Sequence, residues 1–215
     1  MSGVTADGES TTSSRAARKR AAVLDAALEV FLRNGYVGAS MDEIASVAAV
    51  SKQTVYKHFS DKETLFHELI TTTVRATADG VHRPPVVSGQ RPIEEDLRAF
   101  ARHLLHGVMQ PRVLRLRRLV IGEAARFPAL GRTFHDLGLA HTIDTLTATV
   151  RELAGDGRLD IDDPRIAAEH FNWLVLSIPL NRAMLLGDDH GMRPRDLDRY
   201  ADAGVDAFLA AYGTR

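Results

Sequence analysis

Residues 38–69 read GASMDEIASVAAVSKQTVYKHFSDKETLFHEL, and this stretch decides the fold. Ser40 is followed three positions later by Glu43, which is the spacing of a capping box. In that motif the serine hydroxyl accepts a hydrogen bond from the third backbone amide, and the glutamate reaches back to the serine amide. The pattern therefore predicts a short helix over about residues 41–48.

Two further start signals follow in the same stretch. Ser51 can cap a helix that runs to about residue 58, because a serine hydroxyl satisfies an amide that has no partner in the first turn. Residues 60–63 (SDKE) form a second capping box, which predicts a fourth helix toward residue 79. Two short helices joined by a tight turn have the outline of a helix-turn-helix.

A longer helix precedes the two short ones. From Arg15 onward the pattern is helical, with Leu24, Leu28 and Phe31 at spacings of four and three. The Asn-Gly pair that ends at Gly35 supplies a residue suited to a left-handed stop. We expect residues 1–14, which are rich in Ser, Thr and Gly, to be a flexible tail.

The apolar spacing fits a helix-turn-helix. The positions that such a unit buries are all apolar here, namely Ile44, Ala45, Ala48, Val50 and Val55. This leaves Lys52, Gln53, Tyr56 and Lys57 together on the outer face of the third helix. Glutamine can bond adenine with two hydrogen bonds, lysine can pair with guanine or phosphate, and tyrosine can reach backbone oxygens. The sequence therefore predicts that this face reads a major groove.

With these residues the chain resembles the tetracycline-repressor (TetR) family of bacterial transcriptional regulators. The run from residue 38 is similar to the family's DNA-binding region, and residues 21–36 (AAVLDAALEVFLRNGY) resemble its first helix. The resemblance implies contacts to phosphate, to bases or to both from one set of residues. These are Ser40, Met41, Ser51, Lys52, Gln53, Thr54, Tyr56, Lys57, His58 and Lys62.

The turn departs from the family pattern. The family commonly has glycine where this chain has Ala49. A left-handed alanine there would be about 1 kcal/mol less favourable than glycine. We expect the fold to tolerate this with a slightly different turn.

The rest of the chain also has a helical pattern. Residues 80–90 are rich in Pro and Gly and interrupt the fourth helix. Prolines at first-turn positions then predict five helices, over about 92–109, 111–127, 128–154, 164–186 and 194–212. With no strand signal, the prediction is an all-α protein of about nine helices. Its predicted parts are the tail, a DNA-binding domain over 15–62, and an effector-binding and dimerisation domain over 63–215.

The second domain is expected to bind a small molecule and a second copy of the chain. Residues 92–187 resemble the regulatory domain of one subgroup of the family, which identifies no ligand. An apolar cavity with a few polar groups suits a small effector. The candidates to line it, each of which also suits plain core, are Phe127, Phe134, His135, Asn172, Trp173 and Met184. By position, the last two helices resemble the pair that forms the family's dimer interface.

Composition restricts the function further. The chain has 215 residues, a net charge of −1 and no cysteine, so thiolate metal sites and disulfides are excluded. Residues 15–62 carry eight basic and five acidic side chains, which is a local excess of +3. The basic run from Arg15 to Arg20 suits either phosphate contact or solvent. With no membrane span and no signal peptide, we expect a cytoplasmic protein without a cofactor, a metal or catalytic residues.

Two other functions remain open at this point. One is an enzyme built on a helical bundle, although the chain has no G-x-S-x-G, H-E-x-x-H or Walker motif. The other is a protein-binding adaptor that uses the helix-turn-helix only as a scaffold. The prediction is a homodimeric repressor that an unidentified small molecule releases from a palindromic operator. Salt-dependent binding to duplex DNA separates it from both alternatives.

Overall fold

A computed structural model of the protein describes residues 7–81, 91–187 and 191–214. Over these residues it is built from ten α-helices and one π-helical turn, without a β-strand, which confirms the all-α prediction. The helices are α1 (Asp7–Gly38), α2 (Met41–Val47), α3 (Lys52–His58), α4 (Lys62–Val81), α5 (Ile93–Val108), α6 (Pro111–Glu123), α7 (Pro128–Phe134), α8 (His141–Gly155), α9 (Pro164–Leu186) and α10 (Pro194–Tyr212). None of these helices is long and apolar enough to cross a membrane.

The first helix begins earlier than the sequence predicted. It starts at Asp7, so residues 7–14 extend the helix where a flexible tail was expected. Once a helix is nucleated, each added residue fixes two dihedral angles and gains one hydrogen bond, so extension is much less costly than initiation. The predicted tail over residues 1–6 lies outside the described residues. At its other end the helix loses its regular geometry at Gly35, as predicted, where φ is 70° and ψ is 171°.

The proline signals place most of the later helices correctly. Helices α9 and α10 have the predicted bounds, and α6 ends four residues before the predicted end at residue 127. The single helix predicted over 128–154 is divided into α7, a π-helical turn (His135–Ala140) and α8. Counted as one continuous stretch, these three segments give the nine helices that the sequence predicted.

The first of two compact units comprises residues 1–72 and 119–131. It includes the first half of α4, so it extends past the predicted domain boundary at residue 62. Leu65, Phe66 and Leu69 of α4 are fully buried, which explains why this part of the helix belongs to the unit. The ring of Phe66 meets Phe31 at 4.9 Å and Tyr36 at 5.1 Å between centroids, both edge to face.

The second unit comprises residues 73–118 and 132–215. Its core includes Phe100, Phe171 and Phe208, together with apolar residues of α5, α8, α9 and α10. Helices α5 and α10 are also joined by three polar pairs in antiparallel register. These are Arg98 with Asp206 at 2.6 Å, Arg102 with Asp202 at 2.5 Å, and His106 with Asp198 at 2.7 Å.

Candidate nucleic-acid interface

The start of α2 keeps half of the predicted capping box. The Glu43 amide donates to the Ser40 hydroxyl at 3.1 Å, as expected. The Glu43 carboxylate does not complete the box, because it accepts hydrogen bonds from Arg33 and Asn34 of α1, each at 2.7 Å. Glu43 therefore ties α2 to the first helix, and the Ser40 side chain stays exposed at the N-terminus of α2.

Helix α3 begins as the sequence predicted. The Thr54 amide donates to the Ser51 hydroxyl at 3.1 Å, and the two hydroxyl groups are 2.8 Å apart. Thr54 is therefore partly engaged in the cap. At the other end Phe59 follows the helix with an extended backbone, and its side chain is buried.

The second predicted capping box is shifted by one residue. The side chain of Asp61, and not that of Ser60, accepts the first-turn hydrogen bond, from the Thr64 amide at 2.7 Å. This bond is the main reason why the pKa of Asp61 is lowered. An aspartate caps as well as a serine does, so a sequence with both residues side by side does not determine which of them is the cap.

The turn between α2 and α3 has the conformation expected for a glycine. Ala49 has φ of 51°, and it is the one non-glycine residue with positive φ in the described part of the chain. The next amide, that of Val50, donates to the Ala45 carbonyl at 3.1 Å and closes the end of α2. The left-handed alanine that the sequence implied is therefore confirmed.

Replacing Ala49 with glycine is expected to stabilise the protein by about 0.5–1 kcal/mol. The left-handed conformation disfavours an L side chain, and this gain exceeds the entropy that a glycine loses on folding. Urea unfolding of the purified chain measures the change. Ala48→Gly is the matched control, because Ala48 is right-handed with φ of −71° and should lose stability. Equal losses at both positions would contradict the strain at Ala49.

Helix α3 presents a polar face to solvent. Val55 and Phe59 are buried, whereas Lys52, Gln53 and Lys57 are exposed and Tyr56 is 52% exposed. This is the division between the two faces that the sequence predicted. His58 and Thr54 are half-buried at the edges of this surface. The exposed side chains supply hydrogen-bond donors and acceptors and two positive charges, which suits a groove lined by phosphate.

An acidic residue of α2 pairs with the first lysine of this face. The Lys52 ammonium lies 2.5 Å from the Asp42 carboxylate, and both side chains are more than half exposed. An exposed ion pair contributes at most about 1 kcal/mol, so it yields readily to a competing phosphate. The Lys52 ammonium therefore remains available to a phosphate.

Lys62 has a structural role beside its predicted one. Its ammonium group donates to the carbonyls of Val37 at 3.1 Å and Ala39 at 3.0 Å, and it lies over the ring of Tyr36. Partial burial lowers the pKa of Lys62, and the nearby Glu123 opposes this shift. An ammonium group has three N–H donors, so one remains for a phosphate after these two bonds.

The side chains of Arg20 and Met41 are partly and largely buried, respectively. Arg20 forms an ion pair with Glu68 and stacks over Phe59, so its guanidinium belongs to the packing of the first unit. The other basic residues near the start of α1, from Arg15 to Lys19, are exposed. The side chain of Met41 is 8% exposed, which leaves its backbone amide as the group that can meet a phosphate.

The second unit contains a cavity with mostly apolar walls. Its empty space is about 620 Å³ with open solvent included, and about 60 Å³ of it can hold the centre of a water-sized sphere. The walls come from α4, α5, α6, α9, the π-helical turn and the helices on either side of that turn. The lining residues are Thr73, Val74, Leu104, Val108, Val113, Arg117, Phe134, Leu137, Gly138, Leu139, Thr142, Asn172 and Leu176.

The structure separates the six residues that were predicted to line an effector site. Phe134 and Asn172 line the cavity. Phe127 does not, because it belongs to the first unit and packs edge to face on Tyr36 at 4.7 Å. Helix α6 ends before Phe127 and a new helix begins at Pro128, so Phe127 lies in the short connection between the two helices.

The other three predicted residues also lie outside the cavity. His135 is exposed and pairs with the neighbouring Asp136 at 2.9 Å. Trp173 is 47% exposed on α9. Met184 packs on a small cluster that includes Leu114. Adjacent residues of a helix point about 100° apart, so Asn172 can face inward while Trp173 faces outward.

Arg117 and the π-helical turn are parts of the cavity that the sequence did not predict. Helix α6 contains several arginines, and the sequence alone gives no reason to choose Arg117 among them as a cavity residue. The π-helical turn brings Leu137, Gly138 and Leu139 to the cavity wall. The usual helical spacing does not describe such a turn, and turns of this kind occur often at functional sites.

Helix α9 carries a row of exposed apolar side chains. Trp173, Leu174 and Ile178 are 37–54% exposed, and Leu185 is 80% exposed. Ile166 and Leu186 are exposed on the same helix. Exposed apolar side chains that lie together in this way are a mark of a protein–protein interface.

The chain matches two family models. Residues 23–69 match bacterial regulatory proteins of the tetR family, and residues 95–214 match the C-terminal domain of the AefR-like transcriptional repressors. The first match covers α2 and α3 with the second half of α1 and the start of α4, and the second covers most of the unit that holds the cavity.

Two solved structures are similar over almost the full chain. A TetR-family transcriptional regulator from Mesorhizobium loti is 40% identical with a TM-score of 0.82, and the match covers 93% of this chain and 99% of that one. The flavonoid-responsive regulator FrrA is 33% identical with a TM-score of 0.76, with the same coverage.

Curated relatives match a short part of the chain. The transcriptional activator FasR of Mycolicibacterium smegmatis is 43% identical over 65 residues, which span 30% of this chain and 30% of that protein. The repressor BepR of Brucella suis is 41% identical over 59 residues, which span 28% of its length. Each of these two matches therefore spans less than a third of this chain and less than a third of the relative.

Proposed function

The chain belongs to the TetR family of DNA-binding transcriptional regulators, and from that premise we propose that it is a homodimeric repressor that a small molecule releases from its operator. Regulators of this family bind DNA and small-molecule effectors as dimers, and they are not enzymes. The repressor mode is supported by the match of residues 95–214 to a family of repressors. The proposed place of action is the bacterial cytoplasm, where the chromosome lies.

The exposed face of α3 carries the proposal. Lys52, Gln53, Tyr56 and Lys57 are exposed together on a helix that is held at its start by the Ser51 cap and from beneath by Val55 and Phe59. We propose that this face enters the major groove. Ser40, the Met41 amide, Ser51, Thr54, His58 and Lys62 would meet the flanking phosphates and bases.

Dimerisation determines the symmetry and the half-site spacing of the proposed operator. Helices α9 and α10 would pack on the same two helices of a second copy, with the exposed apolar residues of α9 at the contact, which is the arrangement of a two-fold interface. Two α3 helices that enter successive major grooves on one side of the duplex must be about 34–36 Å apart. The operator should therefore be a near-palindrome with half-sites about one helical turn apart.

The cavity of the second unit is the proposed effector site. It is mostly apolar and has a few polar groups, which is usual for small-molecule sites. The similar regulator FrrA is flavonoid-responsive, which supports an organic effector for this chain. Release requires only that the effector favours one of two conformations, and a coupling of about 1–3 kcal/mol is typical.

Selection of random duplex DNA by the purified full chain tests the proposed function. The selection is made at about 0.15 M salt, and the bound pool is sequenced. An enriched palindrome is the expected result, and its spacing reports the distance between the two α3 helices. Failure to enrich any sequence, both with the purified chain and with a cell extract added as a source of ligand, would overturn the proposal.

Gln53→Ala and Tyr56→Phe are expected to affect this binding differently. Gln53→Ala should weaken binding to the selected site by about 1–3 kcal/mol and relax the preference at one base position of each half-site, because a glutamine reads a base edge. Tyr56→Phe should weaken selected and random DNA alike, because a tyrosine hydroxyl meets a phosphate. Fluorescence anisotropy with both DNAs measures the two effects.

Lys57→Ala is the control for the electrostatic part of binding. It should reduce the slope of log K against log salt by about 0.9 for each phosphate contact that is lost, with no change of base preference. Equal losses on selected and random DNA for Gln53→Ala would contradict base reading by Gln53.

A further inference from the structure

Two polar side chains that line the cavity of the second unit have buried hydrogen-bonding atoms without a partner among the described residues. Asn172 is 1% exposed, and among the described residues neither its amide oxygen nor its amide nitrogen has a hydrogen-bond partner. Among the described residues, the buried Nε of Arg117 also has no hydrogen-bond partner. Both residues line the cavity. A buried polar group without a partner is unfavourable, and such groups in native structures commonly mark a ligand or an ordered water.

The charge of Arg117 is not balanced within the cavity. None of the residues that line it in the described part of the chain is acidic. The guanidinium lies 5.4 Å from the centre of the Phe134 ring, which also lines the cavity. Burial lowers the pKa of Arg117, which shows that this environment disfavours the charge. A ligand with a negative charge would offset that cost.

From these groups we infer that the cavity binds a small apolar organic anion, with its carboxylate or phenolate at Arg117 and a second polar group at Asn172. The inference rests on the proposed function, because it names the chemical class of the effector. The apolar body of the ligand would lie against Leu104, Val113, Phe134 and Leu176, which contribute no charge. Arginine suits the charged end because its N–H donors match the two oxygens of a carboxylate.

The π-helical turn supports the same site. Leu137, Gly138 and Leu139 belong to this turn and line the cavity, and a Cβ at Gly138 would have open space around it. The Thr142 hydroxyl donates to the Gly138 carbonyl at 3.0 Å and holds the turn in place. Such turns interrupt an otherwise regular helix and are found often where a ligand binds.

A pair of probes with the same shape and different charge tests the inference. Naphthalene-2-carboxylate carries the anion, and naphthalene-2-carboxamide is its neutral counterpart. Calorimetry with the full chain is expected to show a carboxylate affinity at least about tenfold above that of the amide, because a charge-assisted hydrogen bond in a desolvated site is worth more than a neutral one. Equal affinities, or no binding of either probe at about 1 mM, would overturn the inference.

Variants of Arg117 assign the preference to its charge. Arg117→Met keeps the length of the side chain and should abolish the preference for the carboxylate while leaving the affinity for the amide within about twofold. Arg117→Lys should retain most of the preference, which separates charge from folding. Arg115→Met is the matched control, because Arg115 is exposed on the same helix and does not line the cavity. A preference that survives Arg117→Met would overturn the role of Arg117.

The Asn172→Leu variant tests the second polar contact. It should reduce the affinity for 6-hydroxynaphthalene-2-carboxylate by at least about fivefold relative to the unsubstituted carboxylate, because the added hydroxyl then lacks a partner. An unchanged ratio of the two affinities would exclude Asn172 from the contact.

The outcomes distinguish this inference from the proposed function. If the chain enriches a palindromic DNA but binds neither naphthalene probe, the anion site is wrong and the regulator stands. If the carboxylate binds with a preference that depends on Arg117 but no DNA is enriched, the anion site stands and the regulator is wrong.

Discussion

An Ile178→Glu variant is expected to be monomeric and to bind the selected operator at least about 100-fold more weakly than the parent chain. Ile178 is 54% exposed on α9, within the row of apolar side chains that we propose as the dimer interface. In a two-fold interface each substitution occurs twice, so two carboxylates would lose water close to each other. A monomer binds one half-site and loses the gain from simultaneous contact with the second.

Sedimentation and anisotropy measure the two parts of this prediction. Ile121→Glu is the matched control, because it introduces the same charge outside α9. Ile121 lies on α6 and is 61% exposed. The control should remain dimeric and should bind DNA with an affinity close to that of the parent. A dimeric Ile178→Glu protein with normal affinity would rule out this face of α9 as the interface.

Local signals made the helix-turn-helix predictable from sequence. Ser40 and Ser51 cap helices over a span of three residues, and Val55 and Phe59 lie on one side of a helix because they are four residues apart. These relations depend on neighbours in the chain. The partner of Glu43 was not predictable in this way, because Arg33 lies ten residues earlier and on another helix.

The cavity depends on contacts between residues that are distant in the chain. Asn172 is a polar residue in a mostly apolar helix, which is a signal that a sequence does contain. Arg117 gives no such signal, since its burial depends on how α6 packs in the second unit. The π-helical turn is hidden for another reason: one turn of different pitch leaves an amphipathic pattern almost unchanged.

Gly204 shows what a sequence pattern conceals in the last helix. The residue lies in the middle of α10, where glycine is normally about 1 kcal/mol less favourable than alanine. Propensity alone would therefore favour a larger residue. The structure instead favours glycine here, because a Cβ at Gly204 would lie 2.9 Å from the carbonyl oxygen of Leu174 on α9. The contact is with backbone, which cannot rotate away as a side chain can.

A Gly204→Val variant is accordingly expected to lose about 2–3 kcal/mol of unfolding free energy, since α10 must move away from α9 to admit the side chain. Ala203→Val introduces the same residue one position earlier, where the side chain is exposed, and should lose only about 0.5 kcal/mol. Urea unfolding of both variants measures the difference. Because α9 and α10 also form the proposed dimer interface, Gly204→Val should weaken operator binding as well as stability. Equal stabilities of the two variants would refute the close approach of α9 and α10.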